Sequence, residues 1–314
     1  DLITGYIPMA PVEVIDFEDP MFKSYCVDKF DTDCDGEISI TEAKSITDID
    51  ASSLGLTSLK GIEFFSNLQT VDVSLNELTS IDLSNSPKLS DIYVNGNNLQ
   101  QLDFSGLSAL QVLDCSENAE LGVIDLTKIV GLKSLNVSGC TGMNNIDVTA
   151  NEKLETLSAT GTSLEILDVS KNSKLSKLDL STSVMLLVSA GMNSSIYQVG
   201  QYVSIDNVLG VVFFNESSVV KAVSVDETET VYGYYQKKTY ATSETDGVAN
   251  TNQIVSVSPA AKWCRDKDSA WYLPALNELK DVYNNKSKLN ETLSSPAVNG
   301  TRLGASAYWS STED

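Results

Sequence analysis

The sequence predicts a β-rich solenoid of short stacked coils, capped at its start by a metal-binding loop and followed by a separate α+β domain. Three observations predict it. An apolar motif recurs every 21–22 residues between Leu68 and Leu180, a run of carboxylates spans Asp31–Glu42, and thirteen of the 23 aromatic residues fall in 201–314.

Composition narrows the function classes first. The chain has 314 residues, 42% of them hydrophobic, enough for a real core. Its formal net charge of −22 and pI near 4.2 argue against nucleic acid or an anionic membrane as partner, because both would be repelled. Histidine is absent, which removes the commonest general base near neutral pH and the commonest transition-metal ligand. Cys26, Cys34, Cys115, Cys140 and Cys264 are odd in number and contain no CxxC pair, so they form neither a disulfide framework nor a zinc site. No apolar run reaches a membrane span of roughly 18 residues. The first residue, Asp1, follows no signal peptide or initiating Met, which is read as a processed N-terminus.

Residues 1–20 read as a leader and 21–48 as a cap. Asp31-Thr-Asp33-Cys-Asp35-Gly36-Glu37-Ile38-Ser39-Ile-Thr-Glu42 fits the EF-hand pattern D-x-[DN]-x-[DN]-G-x5-E at every defined position. Calcium takes several hard oxygens at about 2.3–2.6 Å. The expected ligands are the carboxylates of Asp31, Asp33 and Asp35, the Glu37 carbonyl, a water bridged by Ser39, and bidentate Glu42. Gly36 permits the sharp turn and Cys34 points outward. The bland alternative is an acidic turn without metal. Phe22, Cys26, Val27 and Phe30 recur at helical spacing in the entering segment 21–30, and Thr41–Ile46 reads as a short exiting helix. A lone loop of this kind predicts a structural calcium staple, covering the open end of the coils, in preference to a switch.

The coils occupy 49–190. Leu68-x-x-Val71-x-Val73 recurs as Leu89-x-x-Ile92-x-Val94, Leu110-x-x-Leu113-x-Cys115, Leu132-x-x-Leu135-x-Val137, Leu154-x-x-Leu157-x-Ala159 and Leu175-x-x-Leu178-x-Leu180. Three residues after each motif stand Asn76, Asn97, Asn118, Cys140, Thr162 and Ser183. This is the leucine-rich-repeat signature: each coil contributes one short strand, its apolar side chains point inward, and the Asn satisfies backbone groups where the chain turns. One coil cannot bury its own face, so stability comes from stacking. Ile49–Leu68 reads as an irregular first coil. A second element, Ile81-Asp82-Leu83 and its counterparts around Asp103, Asp125, Asp147 and Asp168, predicts an extended segment on the opposite side. These aspartates are read as turn formers bonding to local backbone, a cation track being the alternative. Cys115 and Cys140 are expected as buried thiols. The outward strand positions Asp72, Tyr93, Asp114, Asn136, Ser158 and Asp179 form the candidate partner-binding face.

A second domain is expected over 200–314, with strands at Val208–Phe214, Ser218–Val225 and Val231–Tyr240. A helix with Leu276, Leu279 and Tyr283 on one face follows Pro274. Gly210–Phe214, Asp246–Thr251, Ala260–Cys264, Trp271–Leu279 and Tyr308–Glu313 resemble stretches of the C-terminal lectin-like domain of bacterial adhesins. That family shares the C-type-lectin-related fold also used by formylglycine-generating enzymes. The resemblance implies such a fold here, with Trp271, Tyr308 and Trp309 as core residues in preference to a sugar platform. It also implies further strands beyond Asp314. The formylglycine-generating enzymes work through a cysteine pair, whereas this half has Cys264 alone, so their chemistry is not carried over. The order of an EF-hand or dockerin-like loop, short leucine-rich repeats and this domain is similar to that of surface lipoproteins of Gram-negative anaerobes.

Together these readings predict a non-enzymatic adhesion or binding protein on the outer-membrane surface of a Gram-negative bacterium, or secreted from it. Its expected partner is a protein or glycan, host-derived among the options, and its contact with a membrane is expected only through a lipid anchor upstream of Asp1. A passive spacer and a carboxylate-based hydrolase are the competing readings. No nucleophile elbow, phosphate-binding glycine loop or metal cluster supports the hydrolase.

Overall fold

The structure, a computed structural model, describes residues 13–181, 184–189, 192–205, 208–216, 219–224, 247–254, 261–262, 264 and 276–293. The chain divides into two units, Asp1–Leu164 with Lys171–Asp179, and Glu165–Ser170 with Leu180–Asp314.

The first unit is a solenoid. Strands β1 (Asp48–Asp50), β2 (Thr70–Asp72), β3 (Asp91–Tyr93), β4 (Val112–Asp114), β5 (Ser134–Asn136), β6 (Thr156–Ser158) and β8 (Lys177–Asp179) form one parallel seven-stranded sheet in that order. Ile49, Val71, Ile92, Leu113, Leu135, Leu157 and Leu178 pair across the ladder, and all are buried. Period-two alternation makes this unavoidable. With three residues per strand, a buried middle residue leaves the first and third facing outward. Leu68, Leu89, Leu110, Leu132, Leu154 and Leu175 are each fully buried one turn earlier, so the sequence period and the ladder register coincide. The expected irregular first coil contains a regular strand, β1, in register with β2.

Each coil leaves its strand the same way. Ser53, Leu75, Gly96, Glu117, Gly139 and Gly161 all have positive φ, between 55° and 75°. The N–H groups of the first five reach the next coil, as in Leu75 N–H to the Asn95 carbonyl (2.8 Å) and Glu117 N–H to the Ser138 carbonyl (2.7 Å). The asparagine that follows ties three groups together. Asn118 Nδ2 donates to the carbonyls of Val94 (3.0 Å) and Cys115 (2.9 Å), while its Oδ1 accepts from Leu99 N–H (2.9 Å). Asn76 and Asn97 bond equivalently. At the fifth coil Cys140 Sγ donates to the Cys115 carbonyl (3.2 Å). A thiol suffices there because Leu121 N–H, where an amide oxygen would be needed, is already taken by the Asn118 carbonyl (3.0 Å). Thr162 Oγ1 bonds only to the Ala159 carbonyl (2.9 Å) within its own turn, and Ser183 lies outside the described residues.

On the opposite side, the expected extended segments are not paired into a ladder in this unit. Consecutive turns return the chain instead, with Leu107 N–H bonding Phe104 O and Leu110 N–H bonding Leu107 O, both at 3.1 Å. Leu83, Phe104, Leu126 and Val148 fill the interior there.

The start of the solenoid is capped by α1 (Pro20–Phe30) and the four-residue α2 (Ile40–Ala43). Asp19 caps α1 through its Oδ1, which accepts from Met21 N–H (2.9 Å) and Phe22 N–H (3.4 Å); its Oδ2 accepts from Thr57 N–H (2.8 Å) in the first coil. Aromatic contacts run from Phe22 to Tyr25 to Phe30 to Phe65, carrying the cap onto the coil interior. Within the segment expected as a leader, residues 13–19 belong to this cap. Ile15 N–H bonds the Ile38 carbonyl (2.8 Å), Ile40 N–H bonds the Glu13 carbonyl (3.0 Å), and Ile15 is buried.

The second unit starts earlier than the composition suggested. Residues 165–170 join it through β7 (Ile166–Asp168), which pairs in parallel with β9 (Met185–Val188). A five-stranded mixed sheet has the order β12 (Val219–Ser224), β11 (Val208–Glu216), β10 (Tyr202–Ile205), β9, β7. Among the described residues, its longer helices are α3 (Gly247–Ile254), α4 (Leu276–Asn284) and α5 (Lys286–Leu293). Tyr202, Val211, Val282, Leu289 and Leu293 form a shared core. The expected strands at 208–214 and 218–225 are present with slightly shifted ends, and 231–240 lies outside the described residues. The helix at 276 turns differently from its predicted face. Tyr283 is 73% exposed, Leu279 is half-buried, and Glu278 and Val282 point inward. Glu278 is accommodated because its carboxylate accepts Gly247 N–H (3.2 Å).

Candidate binding face and calcium loop

The ladder register brings all six predicted face residues into one row. Asp72, Tyr93, Asp114, Asn136, Ser158 and Asp179 are successive partners, each half-buried at the third position of its strand. Their side chains also link sideways: Asn136 Nδ2 donates to Asp114 Oδ2 and Ser158 Oγ to Asp179 Oδ2, both at 3.0 Å. Asp72 and Asp114 additionally accept the N–H groups of Ser74 (2.9 Å) and Ser116 (3.0 Å), which fixes their rotamers.

Sequence reasoning missed the rest of the face. Asp50 precedes Asp72 in the same row, and Asp48, Thr70, Asp91, Val112, Ser134, Thr156 and Lys177 make a second row from the first strand positions. The signal was available, since Asp48-Ile49-Asp50-Ala51 repeats the alternation of Thr70-Val71-Asp72-Val73. Charge is uneven along the face. Asp48, Asp50, Asp72, Asp91 and Asp114 lie on the first four strands, whereas the next two carry only Ser134, Asn136, Thr156 and Ser158. Desolvation first, then the negative charges of Asp91, Asp72 and Asp114, raise the pKa of the Tyr93 phenol.

The aspartates of the opposite side are turn formers. Asp82, Asp103, Asp125 and Asp147 each accept the N–H two residues ahead at 2.8–3.0 Å, and Asp125 and Asp147 also accept the Thr127 and Thr149 hydroxyls at 2.6 Å. Hydrogen bonds from these hydroxyl residues lower all four pKa values. Among the described residues, Asp31, Asp33 and Asp35 are the grouping of three acidic or ligating side chains suited to a metal, with oxygens within 4.8 Å of one another.

That grouping sits in the predicted calcium loop. Asp31 Oδ1 accepts Cys34 N–H (2.7 Å) and its Oδ2 accepts Gly36 N–H (2.9 Å), wrapping the loop around the first carboxylate. Gly36 has φ of 82°, the left-handed turn expected of it, and Cys34 (φ 61°) is exposed. Burial, then the charges of Asp35, Glu42 and Asp31, raise the pKa of Asp33 against a bond from Asp35 N–H. Three carboxylates this close fit a hard cation with oxygen ligands.

The Glu42 carboxylate and the Ser39 hydroxyl, two of the other predicted ligands, have partners within the cap. Glu42 Oε1 accepts the Thr32 N–H and hydroxyl, both at 2.7 Å, and Oε2 accepts the Ser39 N–H and hydroxyl, both at 2.9 Å. The Thr32 hydroxyl leads the effects that hold its pKa down at about 2. Ser39 is thereby the N-cap of α2 in a reciprocal capping box, and Glu37 extends its carboxylate to Lys23 (2.7 Å). Glu42 thus closes the loop from its two ends while the aspartates converge inside it.

The other thiols are internal. Burial pushes Cys26 up to about 12, and a hydrogen bond with Cys140 together with burial raises Cys115. Among the described residues no helix is long and apolar enough to cross a membrane. Trp271, Tyr308 and Trp309 lie outside the described residues.

No family model matches the chain, and no curated protein matches it. Among solved structures, the functional domain of InlJ from Listeria monocytogenes, described as including a cysteine ladder, is 21% identical with a TM-score of 0.40, over 57% of this chain and 53% of that one. Internalin C2 from Listeria monocytogenes is 18% identical with a TM-score of 0.36, over 55% of this chain and 84% of its own. The leucine-rich-repeat protein LIC12759 of Leptospira interrogans is 16% identical with a TM-score of 0.36, over 53% and 55%. The chain spans about half the length of the InlJ domain it matches.

Proposed function

We propose that this chain is a surface-displayed or secreted binding protein, without catalytic activity, whose parallel sheet face docks a partner protein. One observation carries the reading: seven strands hold two continuous outward rows of mainly polar side chains, with Tyr93 and Val112 among them, in strict register on a backbone braced by the asparagine bonds. A rigid polar sheet that presents side chains at fixed intervals is suited to recognition, because little ordering entropy is left to lose on binding.

The loop at 31–42 serves this surface as a calcium staple. Asp31, Asp33 and Asp35 would hold the ion, and its charge would relieve their mutual repulsion. The resemblance of the domain order to surface lipoproteins supports placement on a Gram-negative outer membrane through a lipid upstream of Asp1. The mixed sheet with Gly210–Phe214 in β11, and the helix at Leu276–Asn284, support a lectin-like second domain.

The test is saturable binding of the purified chain to an array of extracellular proteins, repeated with Asp72→Arg plus Ser158→Arg and with Asp103→Arg on the opposite side. The reading expects the first change to abolish binding and the second to leave it intact. Binding that survives the face substitutions, or that appears on glycans alone, overturns it.

A further inference from the structure

The acidic half of the face has a chemistry of its own. Among the described residues the ion pairs are Lys23 with Glu37 and Lys177 with Asp179, so Asp48, Asp50, Asp72, Asp91 and Asp114 have no cationic partner there. Asp50 and Asp72 are direct register partners on neighbouring strands about 4.8 Å apart, and like charges at that spacing destabilise the free protein. At the centre of this field is one aromatic residue. Tyr93 is in register with Asp72 on one side and Asp114 on the other, with Asp91 at the far end of its own strand. Both flanking carboxylates are pinned by their own turns, so the arrangement is already organised before a ligand arrives.

A phenol ring between two fixed carboxylates suits a planar cation. A guanidinium can stack on the ring while its fork of N–H donors meets the carboxylates, whereas an ammonium can use the charge but not the fork. We propose that the first four strands of the sheet bind an arginine-bearing segment of the partner protein, with Tyr93, between Asp72 and Asp114, receiving the guanidinium. This rests on the sheet face being the docking surface. It adds the chemistry of the partner: an exposed basic segment, matched to a face that carries five carboxylates.

The experiment measures fluorescence anisotropy of labelled oligoarginine and oligolysine peptides of equal length, with the full chain at about 10 mM salt, where screening is weak. Oligoarginine is expected to bind more tightly than oligolysine. Tyr93→Ala should weaken oligoarginine about threefold and erase the preference, while Tyr93→Phe keeps it. Asp72→Asn with Asp114→Asn should weaken binding about tenfold. Asp103→Asn with Asp125→Asn, which removes the same charge from the opposite side, should leave it unchanged. Melting curves confirm that each variant is folded. Equal weakening by the two double variants, or an arginine preference that survives Tyr93→Ala, overturns the proposal. A partner protein that is blocked by Asp72→Arg plus Ser158→Arg, yet indifferent to Tyr93→Ala and to Asp72→Asn with Asp114→Asn, would leave the docking surface standing and remove only its arginine chemistry.

Discussion

The side chain of Leu75 lies over Gly96 in the next coil. A Cβ built on Gly96 would come within 2.7 Å of Leu75 Cδ2, and the two residues share the left-handed conformation, with φ of 56° and 65°. The same pairing recurs two coils on, where the Glu117 carboxylate occupies the space above Gly139. Gly96→Ala is therefore expected to cost about 1–2 kcal/mol in urea denaturation, chiefly from the positive φ. Adding Leu75→Ala, which removes the facing Cδ2 and keeps the left-handed cost at position 75, should recover only part of that loss. Full recovery would mean that the steric contact, and not the backbone, sets the cost.

Asn118 and Cys140 occupy equivalent places with unequal duties. Asn118→Ala leaves the buried Leu99 N–H without its partner and takes one of two donors from each of the Val94 and Cys115 carbonyls, which at roughly 1–3 kcal/mol for the orphaned group predicts a loss of about 2–3 kcal/mol. Cys140→Ala orphans no group, since the Cys115 carbonyl keeps its bond from Asn118, and should cost only about 1 kcal/mol. Chemical denaturation of the two variants gives the ranking, and the reverse order would contradict the bonding described for the coils.

Asp19 joins two elements with one carboxylate. Burial works to raise its pKa, but bonds from Thr57, Met21 and Phe22 outweigh it and the net shift is downward. Asp19→Ala removes both the helix cap and the link to Thr57, for an expected loss of about 1–2 kcal/mol. Hydrogen exchange should then speed up in Pro20–Phe30 before it does in the sheet.

Glu42 predicts an acid response. Its pKa in the folded chain is about 2, below the ordinary 4.5, so its stabilising contribution is complete above about pH 4.5 and is lost as the pH falls toward 2. In the presence of a chelator, Glu42→Gln should reduce the steepness of the stability decline across that window. An unchanged slope would remove Glu42 from the acid response.

Calcium is expected to raise the melting temperature and a chelator to lower it, since an ion that binds only the folded loop stabilises it by mass action. Asp31→Ala with Asp33→Ala should abolish the calcium-dependent shift. A calcium shift that persists in this variant would place the ion elsewhere.

The solenoid was legible because its inward positions admit only apolar residues, so Val71, Ile92, Leu113, Leu135, Leu157 and Leu178 imprint the coil length on the sequence. The face was half legible. Solvent tolerates many residue types, so the alternation around Asp48, Asp50 and Asp91 places them on the outward side, but that they form rows with the other strands' residues follows only once the ladder aligns them. The departure of Ile166–Asp168 into the second unit was hidden because its ladder partner, Met185–Val188, lies beyond the repeats. At the loop the ligand spacing was plain, but the capping box that occupies Ser39 and Glu42 depends on α2 starting at Ile40. Tyr283 shows the limit of helical spacing, since three apolar residues on one face do not decide which face the sheet covers.

From Val71 onward the 22-residue steps, Leu113 to Leu135 and Leu135 to Leu157, take up their extra residue in the turns after Asn118 and Cys140, and the strand pairing passes through both without a shift. Variation in coil length is thus absorbed at the margin, away from the outward rows. A whole coil gained or lost by recombination would add or remove one rung from each row and leave the other rungs in place, so the recognition surface can be lengthened, shortened or reshuffled in units of a single strand.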